Sequence, residues 1–308
     1  MAGNKLIFKD AEEARDAITA SQQKEIKELY DSWADEIAKE ANRLSHRNTF
    51  SSEVRANQLR ELEQQLRNSS QVLSNKLYLK IKNGILTVSE SVVRCNYEWL
   101  KDLGFSAKGI DAAFSYVPDD VVTKLITGQI YKSGWSLSKR IWYDNEKTMK
   151  DIYVVVAKGL AENKTIYEIA KELERYVRPG KKLSWNYKMP DGVRIYKKAV
   201  DYNAQRLART LVQHGYQQSF VEATKKNPFV VDYIWWANGS RPCPLCSDRN
   251  GVHFKKEDLP LDHPNGMCTM EPNISDDYVD QLADWFNSPV GTYPDIDDFA
   301  NSLGFENF

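Results

Sequence analysis

From Ile26 to Leu100 apolar side chains return every three or four residues, which commits the first third of the chain to long amphipathic helices. Ile26, Leu29, Trp33, Ile37, Ala41 and Leu44 form the first stripe, and the polar stretch Ser45 to Ser52 interrupts it. Leu59, Leu62, Leu66, Leu73 and Leu77 resume on a near-heptad seam whose outward positions carry Glu, Gln and Arg. Two long antiparallel helices are the simplest arrangement. The seam suits a hairpin within one chain and assembly between copies equally well. Leu86 to Leu100 continues the style, with Val88, Val92, Cys95 and Trp99 on one face, so Cys95 reads as a small buried hydrophobe.

Beyond Gly104 shorter helices are expected, punctuated by Ser106, Pro118 and Gly134. A longer one follows, on which Ile141, Trp142, Asn145, Met149, Ile152, Val156 and Leu160 share a stripe and the polar face is rich in lysine. Thr165 with Glu168 forms a capping box that opens a helix through Ile169, Leu173 and Val177 and ends at Pro179-Gly180. Asp191-Gly192 then predicts a turn into a long helix from about Val193 towards Lys226. At Phe229 the pattern changes. Phe229 to Trp236 is β-branched and aromatic without helical period, a strand for which Gly251-Val-His-Phe254 supplies a short partner. Trp235 and Trp236, adjacent on that strand, point to opposite faces, so one belongs to the core.

Three of the four cysteines fall just after this strand, as Cys243-Pro-Leu-Cys246 and then Cys268, with His263 shortly before the last of them. That spacing supplies the four N/S ligands of a closed tetrahedral zinc site, with Cys243 and Cys246 on a turn made by Pro242 and Pro244. The competing reading is a loop of packed, reduced cysteines, and His253 is the substitute ligand if His263 points away. No N-terminal stretch reads as a signal peptide, and no apolar run approaches membrane-spanning length. The expectation is a cytosolic, reducing setting, in which metal binding is favoured over a disulfide.

The fold class expected is mainly α, an elongated helical body with a small α+β module resembling a zinc knuckle near the C-terminus. Its 308 residues divide into an N-terminal helical hairpin (1–104), a helical core (105–228), a strand and Cys/His module (229–272) and an acidic aromatic tail (273–308). Charge is uneven along them. Lys197, Lys198, Arg206 and Arg209 belong to a basic middle, whereas no Lys or Arg follows Lys256. The basic stretch can neutralise phosphates, and those four residues are the candidate nucleic-acid contacts; the same charges also suit solvated helix faces. Arg209 has a second reading, as an internally paired residue tying the long helix to the small module. The tail is too short for a core of its own, so it must dock, on its own body or on a partner.

A zinc deaminase shares the Pro-Cys-x-x-Cys half-motif but needs a His-x-Glu, which neither His46-Arg-Asn nor His214-Gly-Tyr provides. Four protein ligands would also leave no position for a reacting water, so no catalytic residue is expected. A nuclease lacks its clustered carboxylates or His-Asn-His pattern near the cysteines. A zinc-module DNA-binding or DNA-processing protein of the host cytoplasm remains the alternative.

In order along the chain come Ser138-Lys-Arg-Ile-Trp142, Gly159-Leu-Ala-Glu-Asn-Lys-Thr165 running into Ile169-Ala-Lys-Glu-Leu173, and Ala208-Arg-Thr210. Trp235-Trp-Ala, Cys243-Pro-Leu-Cys246, Gly251-Val-His-Phe254 and His263-Pro-Asn complete the series. In these the chain resembles the phage minor head proteins of the Mu F-like head-morphogenesis family, over roughly Leu73 to Pro272. The resemblance implies a low-copy, non-enzymatic component of the capsid interior near the portal, present in the host cytoplasm during assembly. It would assist head assembly and DNA packaging or ejection. The partners implied are the portal and capsid or scaffold proteins and packaged DNA held nonspecifically, with no membrane and no small-molecule substrate. Two departures are evident. The family's His-Pro-x-Cys-Arg-Cys ending is His263-Pro-Asn-Gly-Met-Cys268 here, and the Glu usual after Arg-Thr is Leu211.

Overall fold

The computed structural model describes residues 7–45, 52–162, 164–179, 187–189, 192–194, 199–238 and 242–305. It is mainly helical with a small antiparallel sheet. The helices are α1 (Lys9–Ser45), α2 (Ser52–Asp102), α3 (Ala107–Phe114), α4 (Val117–Thr127), α5 (Leu137–Ala161), α6 (Ile166–Val177), α7 (Tyr202–Thr224), α8 (Pro244–Arg249), α9 (Tyr278–Asn287) and α10 (Pro294–Ser302). A two-stranded pair joins β1 (Tyr187–Met189) to β2 (Gly192–Arg194). A three-stranded sheet runs β4-β3-β5, from His253–Phe254, Val230–Trp236 and Thr269–Ile274. The chain divides into two compact units. One comprises the stretch ending at Ala20, Lys82–Gly134 and the chain from Arg209 onward; the other comprises Ser21–Ile81 and Trp135–Ala208.

The second unit is built on the leucine seam. Leu62, Leu66, Leu73, Leu77 and Ile81 of α2 are buried with Ile26, Trp33 and Ile37 of α1. The two helices run antiparallel: Gln22 donates to the Lys80 carbonyl, and the Trp33 indole N–H donates to Ser69 Oγ at 2.8 Å. α5 joins them through Ile141, Ile152 and Val155. Its Asn145, polar within an apolar stripe, is satisfied by Ser70 and Ser74 of α2. Two details of the expected α5 stripe change: Trp142 is 56% exposed, and Val155 rather than Val156 is fully inside. The capping box at Thr165 is present, its hydroxyl accepting from the Glu168 amide while the Glu168 carboxylate accepts from the Thr165 amide.

In the first unit α7 lies almost wholly buried from Thr210 to Thr224. Phe220 meets Phe8 edge to face and stands 5.0 Å from the Tyr233 ring of β3. The expected helix from Val193 is corrected here, because Val193 lies on β2 and α7 begins at Tyr202. Trp235 is fully buried, while Trp236 on the opposite face donates to Glu271. β5 completes the sheet and was not expected; its Pro272 is tolerated because β5 is an edge strand. The acidic tail docks on its own body. Phe299 and Phe305 pack on Phe105, and the Leu303 carbonyl sits where a Cβ on Gly109 would be, 1.4 Å away.

Candidate metal centre

The strand β3 delivers the chain to Cys243, which caps the short helix α8: its sulfur accepts from the Cys246 amide at 3.5 Å, and Pro244 starts the turn. The Cys-x-x-Cys spacing therefore places both sulfurs at one helix N-terminus. The loop before β5 brings His263 and Cys268 to them. His263 Nε2 lies 3.3 Å from Cys243 Sγ and 3.1 Å from Cys246 Sγ, and Cys268 Sγ lies 3.3 Å from Cys246 Sγ. All four sequence-predicted ligands thus gather around Cys246. Two overlapping triads, Cys243/Cys246/His263 and Cys246/Asp262/Cys268, each have ligand atoms within 4.8 Å of one another, and the cluster could hold a metal ion.

The surroundings fit that use. His263 Nδ1 is 3.0 Å from the Pro264 carbonyl, so this nitrogen carries the proton and the Nε2 lone pair faces the sulfurs, accepting from a thiol or ligating a metal ion. Burial, then the neighbouring thiols, raise the Cys246 pKa, whereas the Cys246 amide lowers that of Cys243. Burial works against a charged His263, but the Pro264 carbonyl and nearby Asp262 outweigh it and raise its pKa. The buried Cys246 thiol, held neutral by burial and its sulfur neighbours, gains most from a cation beside it. His253 is not a substitute ligand. It is exposed and paired with Asp232 at 2.9 Å.

Apart from the Arg209 tie, what holds the ligand loop has no clear mark in the sequence. Thr210, Gln213, His214 and Gln217 lie at i, i+3, i+4 and i+7 on α7, forming one buried polar face turned to residues 260–268. Gln213 donates to the Cys268 carbonyl at 2.6 Å, and Gln217 donates to the Pro260 carbonyl while accepting from the Asp262 amide. His214 Nε2 donates to the Asp262 carbonyl at 2.9 Å, which fixes its Nδ1 as acceptor for the Tyr131 hydroxyl. The buried guanidinium of Arg15 on α1 also donates to the Cys268 carbonyl, at 3.2 Å. Asp262 organises the loop from within: its carboxylate accepts from the His263 amide at 2.7 Å and the Cys268 amide at 3.1 Å. Gly266 makes room for it, since a Cβ there would meet both Asp262 oxygens at 2.3 Å. The recurrence of Thr210, Gln213, His214 and Gln217 at helical spacing was the available signal for α7, masked by the other polar residues of the helix; Asp262 and Arg15 gave none.

Of the four candidate nucleic-acid contacts, Lys197 and Lys198 lie outside the described residues. Arg206 is exposed, and its charge acts on the half-buried Asp144. Arg209 follows the internal reading: it donates to Asn265 Oδ1 at 3.2 Å, and Thr210 Oγ1 accepts from the Asn265 amide at 2.9 Å. Together they hold Asn265 in a left-handed conformation, φ 70°. No helix among the described residues is long and apolar enough to cross a membrane. No family model, curated protein or solved structure matches the chain.

Proposed function

We propose that this chain is a minor head protein of a tailed phage, a low-copy structural component of the capsid interior near the portal. Zinc, held by Cys243, Cys246, His263 and Cys268, closes its C-terminal knuckle. It assists head assembly and DNA packaging or ejection, with the portal and capsid proteins as partners, nonspecific contact with packaged DNA, and no reaction of its own. One observation carries the reading: two motifs of the resemblance, Arg209-Thr210 and His263-Pro-Asn265, clasp each other through Asn265 and position the Cys/His cluster. Residue series whose order alone suggested a relationship thereby acquire a common physical task.

Zinc is favoured by the donors. Three thiols and one imidazole are a soft set, and bond lengths of about 2.0–2.3 Å at tetrahedral angles put donors about 3.5–3.8 Å apart. The separations of 3.1 and 3.3 Å are a few tenths shorter, so a small outward shift admits the ion. With four protein donors the coordination is complete, which suits a structural ion and leaves no place for a reacting water.

Quantitative mass spectrometry of purified, DNA-filled particles tests the virion role. The expected result is a reproducible signal far below that of the major capsid protein. Complete absence from particles would overturn it in favour of a zinc-module DNA-binding protein of the host cytoplasm.

A further inference from the structure

α9 carries two apolar faces. Leu282 and Trp285 are buried, but Val279, Ala283 and Phe286 recur at i, i+4 and i+7 on the solvent side, with Val279 59% and Phe286 52% exposed. A single exposed hydrophobe needs no explanation, whereas a stripe at helical period marks a contact surface. Its rim is acidic, through Asp280 and Asp284, and neither forms a salt bridge among the described residues. α5 has the opposite chemistry. Trp142 is 56% and Tyr143 41% exposed. Lys139 lies over the Trp135 ring at 4.8 Å and Lys147 over the Tyr143 ring at 4.3 Å, and neither lysine forms a salt bridge among the described residues.

We propose that the exposed stripe of α9 docks on the Trp142 face of α5 in a second copy of this chain. An apolar centre flanked by Asp280 and Asp284 meets an aromatic centre flanked by Lys139 and Lys147, with Glu146 at i+4 from Trp142 a like charge to be turned away, so the flanking charges are complementary. A nucleic acid would suit α5 alone; it is repelled by α9 and would leave that stripe uncovered. Each copy carries both faces, so the contact forms twice in a two-fold pair or once per neighbour in a ring or open chain. The inference stands independently of the virion reading.

Sedimentation equilibrium of the metal-loaded full chain, across concentration and salt, tests it. The expected result is concentration-dependent association that weakens as salt screens the rims. Phe286→Asp should abolish it. Asp280→Lys with Asp284→Lys, and separately Lys139→Glu with Lys147→Glu, should each weaken association at least about tenfold, and mixing the two reversed proteins should restore it. The four charged side chains are exposed, so the reversals retain the fold, which far-UV dichroism checks; the Phe286 ring also meets Trp285 at 4.7 Å and Phe305 at 5.8 Å, so Val279→Asp on the same stripe is measured beside it and should likewise abolish association. A wild-type chain that stays monomeric at every concentration overturns the proposal. So does association unaffected by the reversals, or failure of the mixture to recover. A monomer that binds duplex DNA through Lys139 and Lys147 also overturns it and assigns α5 to nucleic acid.

Discussion

Replacing Asp262 with alanine removes the acceptor for two amides, the half-buried one of His263 at 2.7 Å and the buried one of Cys268 at 3.1 Å. A hydrogen bond to a charged group contributes about 1.5–3 kcal/mol. Two give about 3–6 kcal/mol, offset in part by relief from burying a carboxylate that is only 3% exposed. The net expectation is a loss of about 2–4 kcal/mol. These amides also set the direction of the two ligand side chains, and loss of such support typically weakens metal affinity about 10–100-fold. Asp262→Asn should cost about half as much, because one amide oxygen still accepts while its NH2 faces the other backbone N–H. Chelator competition measures the affinity, and denaturant unfolding of the metal-loaded protein measures the stability. Wild-type affinity and an unchanged midpoint in Asp262→Ala would refute the assignment of Asp262 as the organiser of the ligand loop.

Gly109→Ala puts a methyl group into the Leu303 carbonyl, a backbone atom that cannot rotate away, so α10 should detach from Phe105. Proteolysis between α9 and α10 should quicken and stability should fall by about 1–3 kcal/mol; an unchanged digestion pattern would contradict the docking. Burial raises the pKa of Glu12 against the pull of Arg15. A raised folded-state pKa means that ionisation disfavours the fold, a penalty absent below the unfolded pKa and growing as pH rises through the carboxylate range. Glu12→Gln should therefore gain stability relative to wild type near neutral pH and lose that advantage in acid, as denaturant midpoints at the two conditions will report. An offset that does not change with pH would contradict it.

The parts legible in sequence were those in which one periodicity or one cap decides the outcome. The leucine seam of α2, the Thr165 capping box, the aromatic strand β3 and the Cys/His spacing all stand as expected. The parts missed depend on tertiary context. Val154, Val155 and Val156 are all apolar, so spacing alone could not choose which faces the core, and Trp142 looked internal only because Ile141 beside it is. β5 was hidden by Pro272, which an edge strand accommodates. Gly192, expected to turn the chain into a helix, instead opens the strand β2. At the Cys/His cluster the candidate ligands were legible because their chemistry is local. The face of α7 that grips the ligand loop was not, since each of its side chains bonds to backbone more than forty residues away.

The most direct test of the account is the metal content of the protein purified without chelator, by inductively coupled plasma mass spectrometry alongside titration of free thiols. The prediction is one zinc per chain, lost in Cys246→Ser together with a lowered melting temperature, because the free energy of metal binding is folding free energy. A wild-type chain free of zinc that melts at the same temperature as Cys246→Ser would contradict it.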